Sequence, residues 1–183
     1  MTTLGVLADT HIPDRAAELD PRIEQCFRQV RVEAILHAGD VSVPGVIRQL
    51  EQIAPVYAVQ GNRDIFALRD LPMQVRLNVA GVRIGMSHGH GSFTRYMVDK
   101  IQRSLYGRMD EVYLQRMRLT FPDVDVIVFG HVHVPCNIQL DGQLVFNPGS
   151  TSYPWPRSDP PSFGLLYLEQ GQPPRGEIIQ LRK

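Results

Sequence analysis

Five short apolar runs along the chain end abruptly in polar residues. They comprise residues 3–8, 33–37, 56–60, 82–87 and 124–129. Short apolar runs rich in β-branched residues are typical of buried strands. Between the first three runs, helical patterns cover Pro21–Val30, preceded by the capping residue Asp20, and residues 44–53. This β-α-β-α-β alternation predicts a parallel sheet with crossover helices.

The second half of the chain has a different pattern, in which pairs of strand-like segments are joined by turn residues. The predicted hairpins pair residues 74–79 with 82–87 through Ala80-Gly81, 135–140 with 143–146 through Asp141-Gly142, and 162–169 with 176–181. Asp-Gly between apolar segments is a strong hairpin signal. We therefore expect the second half to be mostly antiparallel, and two sheets packed face to face with helices outside would accommodate both halves.

Residues 93–121 are the least strand-like part of the chain. The pattern predicts two helices separated near Gly107, as a helical insert within a single domain that spans residues 1–183. Six basic and three acidic side chains make this segment net positive. It is either a solvated helical face or a surface that faces phosphate or a partner, and it is a candidate surface for a homodimer.

Composition limits the classes of function. A chain of 183 residues with 43% hydrophobic and 21% charged residues fits one globular domain. Nineteen basic and nineteen acidic residues give zero net charge, which argues against a protein that coats nucleic acid or an anionic membrane. Because no segment resembles a membrane span or a signal peptide, and the two cysteines form no CxxC pattern, we expect a cytoplasmic protein without disulfides.

Most of the histidines stand where predicted strands end. Five of the six do so: His11, His88, His90, His131 and His133. Asp9, Asp40 and Asn62 occupy similar positions. The carboxyl ends of strands in open α/β sheets line a binding crevice, so these side chains are expected to converge. Imidazole with carboxylate and amide oxygen suits Mn, Fe, Zn, Co or Ni, and the set is large enough for two ions about 3.5–4 Å apart that share a carboxylate.

The order of these motifs is similar to that of the calcineurin-like metallophosphoesterases. The matching segments are Asp9-Thr-His11, Gly39-Asp40, Gly61-Asn62-x-Asp64, His88-Gly89-His90 and Gly130-His131-x-His133. The run Asn147-Pro148-Gly149-Ser150 resembles the small single-domain bacterial and archaeal phosphodiesterases of that family. The resemblance covers residues 4–157 and implies an α/β fold, an αββα sandwich of two mixed β-sheets flanked by helices, with a dinuclear metal site at the strand ends.

The resemblance implies a role for each matching position. One metal ion would be held by Asp9, His11 and His133, and the other by Asn62, His88 and His131, with Asp40 bridging the two. His90 would face the substrate or surround the ligands rather than bind metal directly. Manganese is the expected metal, with Ni, Co, Fe and Zn as alternatives. His37 lies within a predicted strand and is expected to be a buried core histidine.

The chain departs from many relatives at Arg63, where they carry a histidine directly after the metal-binding asparagine. An arginine cannot deliver a proton near neutral pH, but it can clamp a phosphate. Catalytic roles are predicted for Asn62, Arg63 and His90. Because Arg63 cannot protonate a leaving group, we expect slower turnover of esters that have poor leaving groups. The alternative for Arg63 is an ion pair with Asp64.

The activity implied by the resemblance is metal-dependent hydrolysis of a small phosphodiester or nucleotide. A phosphomonoesterase is an alternative, and so is a non-catalytic scaffold, because a retromer subunit with this fold mainly binds partners. Scaffold-type relatives have lost part of the histidine set, whereas every expected position is filled here. Nuclease action is disfavoured by the neutral net charge of the chain.

The loop formed by residues 147–157 contains four further candidates. Ser150 and Arg157 are candidate substrate contacts, with a role in the turn as the alternative. Tyr153 and Trp155 are candidate residues for stacking on a base, with packing as the alternative.

Overall fold

The computed structural model describes residues 1–91 and 110–182. The strands are β1 (Thr2–Leu7), β2 (Ala34–His37), β3 (Val56–Ala58), β4 (Gln74–Val79), β5 (Val82–Ser87), β6 (Val126–Val128), β7 (Cys136–Leu140), β8 (Gln143–Asn147), β9 (Ser162–Leu168) and β10 (Arg175–Gln180), and the helices are α1 (Pro21–Val30), α2 (Pro44–Leu50) and α3 (Asp110–Thr120). The earlier helix predicted for residues 93–121, before Gly107, lies outside the described residues. The single domain over residues 1–183 stays a prediction.

The strands form two five-stranded sheets, and both are mixed. The first has the order β10-β9-β1-β2-β3, in which β1, β2 and β3 are parallel as predicted and β9 is antiparallel to β1. The second has the order β4-β5-β6-β8-β7. All three predicted hairpins are confirmed as antiparallel pairs. As expected, most strand pairs of the second half are antiparallel, but β6 pairs in parallel with both β5 and β8, which the turn signals did not predict.

The core has three layers that follow from side-chain alternation along the strands. Leu36 and Ile84, from the first and second sheets, belong to one buried cluster between the two sheets. Neighbouring strand residues point the other way. Ile35 packs with Phe27 of α1 on the outer face of the first sheet, and Met117 of α3 belongs to the cluster on the outer face of the second. The predicted αββα sandwich is confirmed.

Several element boundaries differ from the sequence-based expectations by a few residues. The Asp20 carboxylate accepts from the Arg22 backbone N–H at 3.0 Å and caps α1 as predicted. Helix α2 ends at Leu50, short of the predicted residue 53. Strand β3 is also shorter than predicted, because the Gln60 N–H bonds the Pro72 carbonyl and the chain leaves the sheet. Within residues 1–91 and 110–182, no helix is both long and apolar enough to cross a membrane.

Candidate metal centre

The predicted ligands lie in the loops that follow β1, β2, β3, β5 and β6. Because these strands run parallel within their sheets, their carboxyl ends open at the same edge. Hydrogen bonds join the two sheets there: the His131 backbone N–H donates to Asp9 Oδ2 at 2.9 Å, and His88 Nδ1 lies 2.7 Å from the Ala38 carbonyl oxygen. The parallel arrangement therefore brings side chains that are distant in sequence into one crevice.

One cluster consists of Asp9, His11 and His133. Asp9 Oδ1 lies 3.1 Å from His133 Nε2 and 3.7 Å from His11 Nε2, and the two Nε2 atoms are 3.1 Å apart. His133 Nδ1 lies 2.5 Å from the Tyr153 carbonyl oxygen, to which it donates. In the neutral ring, which is the form that binds a metal ion, that bond leaves a lone pair on Nε2 directed at the cluster. Atoms that normally accept hydrogen bonds therefore face one another, an arrangement that favours a cation between them.

A second cluster consists of Asp9, Asp40 and His88, so that Asp9 belongs to both. Since His88 Nδ1 donates to the Ala38 carbonyl, its Nε2 carries a lone pair, and this atom lies 3.6 Å from Asp40 Oδ1. Asp40 Oδ2 lies 3.8 Å from His11 Nδ1, a residue of the first cluster. Both carboxylates thus stand between the two groups of histidines.

Asn62 and His131 complete the second cluster. Asn62 Oδ1 lies 3.2 Å from His88 Nε2 and 3.1 Å from His131 Nδ1. With the amide oxygen directed at two imidazoles, the amide NH₂ of Asn62 is turned away from them. All seven residues predicted as metal ligands are therefore brought together in one crevice, and their role as ligands is a proposal taken up below.

The two remaining histidines near the crevice are buried. The ring of His90 lies 5.3 Å from that of His88, and burial, with a smaller contribution from His88, lowers the pKa of His90 to about 4. It is therefore neutral at pH 7. His37 is fully buried as expected, its Nε2 lies 3.3 Å from Thr10 Oγ1, and burial lowers its pKa to about 4.

The electrostatics of the crevice fit a divalent cation. Burial raises the pKa of Asp40 to about 6 and lowers that of His11 to about 4, because each group lacks solvent for its charged form. For Asp9 the opposing effect of burial is outweighed by His133, which holds the pKa of this carboxyl below its usual range. Asp9 Oδ1 and His11 Nδ1 are buried without a hydrogen bond from any described residue. Such atoms cost about 1–3 kcal/mol each, and metal coordination would satisfy them.

The backbone of the candidate ligands is strained. Positive φ angles occur at Asp9 (54°), His11 (49°), Asp40 (54°), His131 (71°) and His133 (61°). This left-handed conformation costs a non-glycine residue about 1–3 kcal/mol and persists only where the surroundings enforce it. Here the Asp9 N–H donates to the Gly39 carbonyl at 3.0 Å, and the His11 N–H to the Asp40 carbonyl at 3.1 Å. Such strain concentrated on one set of side chains is typical of a functional site.

Asp64 has a positioning role that the sequence did not suggest. It is fully buried, and its carboxylate accepts three backbone N–H groups: Asp40 at 2.9 Å, Gly61 at 2.8 Å and Ser42 at 2.8 Å. The loops after β2 and β3 are thereby tied together beside the candidate ligands Asp40 and Asn62. The only available signal was an acidic residue two positions after Asn62, which is also an ordinary turn composition.

We expect Asp64→Asn to lower the free energy of unfolding by about 2–4 kcal/mol, because an amide NH₂ would face backbone N–H groups that now have charged acceptors. Urea unfolding of chelator-treated protein measures this change. The matched control is Asp70→Asn, whose side chain is 98% exposed and lies 3.8 Å from Arg69. The control is expected to change stability by less than about 0.5 kcal/mol. Equal midpoints for Asp64→Asn and wild type would contradict this role.

Arg63 does not pair with Asp64, so that alternative is wrong. Its guanidinium lies 2.9 Å from Asp14 Oδ2, and its backbone N–H donates to Asp40 Oδ1 at 2.8 Å. The Asp64 carboxylate is occupied by backbone donors instead. The Arg63 side chain is 40% exposed at the rim of the crevice, where it is accessible to a substrate.

Ser150 serves the loop rather than the crevice. It is fully buried, its Oγ donates to the Asp9 carbonyl at 2.7 Å, and the Tyr153 N–H donates to the same Oγ at 2.8 Å. This arrangement agrees with a role of Ser150 in the turn rather than with contact to substrate.

Tyr153 is half-buried, and the exposed Trp155 donates its backbone N–H to the His133 carbonyl at 3.0 Å. The loop after β8 therefore holds His133 through two of its residues.

Comparison with known proteins gives a consistent picture. A model of the calcineurin-like phosphoesterase superfamily domain matches residues 2–171. A probable metallophosphoesterase of Methanothermobacter thermautotrophicus is 35% identical over 97% of this chain and 91% of its own length. Among solved structures, a novel archaeal phosphodiesterase has a TM-score of 0.67 at 22% identity, over 97% of this chain and 100% of that one. Vps29 of Entamoeba histolytica complexed with zinc has a TM-score of 0.66 at 22% identity, over 99% of this chain and 100% of that one. At this identity the two structures establish the fold alone.

Proposed function

Since the chain belongs to the calcineurin-like phosphoesterase superfamily, we propose that it is a metal-dependent phosphodiesterase that hydrolyses a small phosphodiester. The observation that carries the proposal is the convergence of Asp9 with two groups of ligand atoms, one including His11 and His133 and the other Asp40 and His88. A phosphodiesterase of Methanocaldococcus jannaschii, 26% identical over 80% of this chain and 82% of its own length, supports the choice of diester over monoester.

We assign a pair of divalent metal ions to the crevice, with manganese as the first choice and Ni, Co, Fe or Zn as alternatives. One ion would be held by Asp9, His11 and His133 and the other by Asn62, His88 and His131, with the Asp9 and Asp40 carboxylates between the two groups of histidines. When bound, such ions stabilise the negative charge that develops on phosphoryl oxygens and make water more acidic. The positive φ angles of five of these residues and the buried atoms Asp9 Oδ1 and His11 Nδ1, which accept no hydrogen bond from a described residue, support the assignment.

Asn62 and two further side chains, Arg63 and His90, orient the substrate in this proposal. The NH₂ of Asn62, turned away from His88 and His131, donates to a phosphoryl oxygen. Arg63, held by Asp14, offers its guanidinium as a fixed positive charge and donates no proton to the leaving group. His90 is neutral at pH 7 and serves as a hydrogen-bonding group rather than as a cation. A diester with an acidic leaving group is therefore the preferred class of substrate.

Hydrolysis of bis(p-nitrophenyl) phosphate and p-nitrophenyl phosphate tests the proposal. We expect chelator-treated protein to be inactive on both, and added Mn²⁺ to restore cleavage of the diester well above that of the monoester. The metal dependence follows from the candidate ligands of the crevice, and p-nitrophenolate leaves without protonation, so that the missing proton donor at Arg63 limits neither reaction. Cleavage of the monoester in preference to the diester would indicate a phosphomonoesterase. Equal rates with and without metal would contradict the metal-dependent mechanism.

A partner-binding scaffold is the second candidate, favoured by the similarity of the fold to Vps29. The complete set of candidate ligands weighs against it. Folded protein that cleaves neither ester with Mn²⁺, Ni²⁺, Co²⁺ or Zn²⁺ would favour the scaffold. The cytoplasmic location and the homodimer remain predictions.

A further inference from the structure

Two arginine side chains share one tyrosine ring at the rim of the crevice. The guanidinium carbon of Arg157 lies 3.5 Å from the centre of the Tyr153 ring, and that of Arg15 lies 4.3 Å from it. Both arginines are exposed, and within residues 1–91 and 110–182 neither forms an ion pair with a carboxylate. Two positive charges are thus held close together without a neutralising anion from the described part of the chain.

The position of this pair is set by the candidate metal ligands themselves. The Arg15 N–H donates to the His11 carbonyl at 2.8 Å, which places Arg15 in the same turn as His11. The Tyr153 carbonyl accepts from His133 Nδ1, and the two rings stand perpendicular with centres 5.9 Å apart. The arginine pair therefore lies on the side of the crevice formed by Asp9, His11 and His133.

The chemistry of stacked guanidinium groups suits phosphate. An arginine that lies over an aromatic ring keeps its N–H edge free, and this edge matches the oxygens of a phosphate in a bidentate fashion. Two like charges near one ring repel each other, and a dianion that contacts both would offset that repulsion. Arg157 also lines an open groove of about 910 Å³ with Ser152 and Arg182, which offers room for a substrate that extends beyond the metal ligands.

We propose that Arg15 and Arg157 form a subsite for a second phosphate, so that the substrate is a phosphodiester that carries a further phosphoryl group, as a nucleoside bisphosphate ester does. This inference rests on the proposed phosphodiesterase function and names its class of substrate. The scissile phosphate lies with the metal ligands and Arg63, and the non-reacting phosphate lies beside Tyr153, within reach of the Arg15 and Arg157 guanidinium groups. A diester without the second phosphate leaves this subsite unused.

A matched pair of substrates tests the proposal: thymidine 5′-(p-nitrophenyl phosphate) and the same ester with a 3′-phosphate. They share the leaving group and differ by one phosphate. We expect the Mn²⁺-loaded protein to show a kcat/KM about 10-fold higher for the 3′-phosphorylated ester, in keeping with one charge-assisted contact at an exposed site. The double variant Arg15→Gln/Arg157→Gln is expected to bring this ratio close to one.

The matched control is Arg175→Gln. Arg175 lies over the Tyr167 ring with its guanidinium carbon 3.9 Å from the ring centre, which repeats the stacking geometry. Tyr167 pairs with Thr3 at the opposite end of β1 from Asp9, so this stack is remote from the crevice. Arg175→Gln is expected to keep the wild-type ratio of the two kcat/KM values. A ratio that falls equally in the control and the double variant would overturn the proposal.

A purely structural role for the two arginines gives a different result. If they only hold Tyr153 beneath His133, the double variant will lose the same factor on both esters and the ratio will not move, which overturns the subsite.

Binding to chelator-treated protein separates the subsite from the phosphodiesterase function. Calorimetric titration with thymidine 3′,5′-bisphosphate and thymidine 5′-phosphate is expected to show tighter binding of the bisphosphate, and the double variant is expected to lose that difference. If this result is obtained while no ester is hydrolysed, the subsite is supported and the phosphodiesterase function fails. If both esters are hydrolysed and no preference appears in binding or kinetics, the function stands and the subsite is overturned.

Discussion

Asp9→Asn is expected to lower Mn²⁺-dependent cleavage of bis(p-nitrophenyl) phosphate by about 1,000-fold or more, since loss of groups that only support metal ligands already costs about 10–100-fold. Asp9 Oδ1 lies 3.1 Å from His133 Nε2, 3.7 Å from His11 Nε2 and 3.9 Å from His88 Nε2. No other carboxylate in the described residues belongs to both candidate metal groups. The substitution keeps the size of the side chain and removes its charge, so the effect on metal binding is isolated from packing.

Metal-induced stabilisation measures the same substitution without relying on activity. A ligand that binds only the folded protein raises its stability by about 4 kcal/mol when its free concentration is 1,000 times Kd. We expect Mn²⁺ to raise the Tm of the wild type and to leave that of Asp9→Asn almost unchanged. The control is Asp123→Asn, an exposed residue whose carboxylate lies 2.7 Å from Arg76 and which should keep the full Mn²⁺ effect. An Asp9→Asn protein that retains the Mn²⁺ shift and a tenth of the activity would refute the assignment.

Gly61→Ala is expected to lower the free energy of unfolding by about 3 kcal/mol or more, because a methyl group at this position collides with the backbone. A Cβ atom there would lie 2.2 Å from the Asp40 backbone nitrogen and 2.2 Å from Asp40 Oδ1. Neither group can retreat freely, since the backbone N–H groups of Asp40 and Gly61 are both bound to Asp64. The displacement would also move Asp40 away from the candidate metal position.

Urea unfolding of metal-free protein gives the stability change, and the Tm shift with Mn²⁺ gives the effect on the crevice. Gly45→Ala is the matched control, because a Cβ atom there would lie 3.9 Å from Arg48 Nη2, an ordinary contact, and Gly45 lies in the first turn of α2. Alanine there is expected to be neutral or to stabilise by up to about 1 kcal/mol. If both glycine variants unfold at the wild-type urea concentration, the close approach of Gly61 to Asp40 has no energetic consequence.

The fold could be predicted to a large extent from local patterns. The alternation of apolar runs and helices predicted the parallel strands β1 to β3, and turn residues such as Asp141-Gly142 predicted the hairpins. The parallel pairing of β6 with β5 and β8 could not be predicted in this way. A three-residue apolar strand has the same pattern whether its neighbours run parallel or antiparallel, so the long connections around it decide the direction.

The candidate site was predicted in its members but not in its internal contacts. Polar residues that follow predicted strands indicated eight side chains at one edge. The resemblance to the family then distinguished seven candidate ligands from His90. The partner of Arg63 was missed, since Asp14 is distant in sequence and Asp64 is adjacent to it. The same limit applies to Asp64, whose three backbone contacts come from loops that only folding brings together.

The sequence by itself determined the donor chemistry, the order of the motifs and the strand ends that carry them, because these depend on residue type and short-range periodicity. Only the tertiary structure decided which carboxylate belongs to both clusters, that five candidate ligands adopt the left-handed conformation, and that Arg15 and Arg157 meet on Tyr153. Those features depend on packing between two sheets and on loops far apart in sequence. Such contacts form only when the whole chain is folded, so no local pattern encodes them.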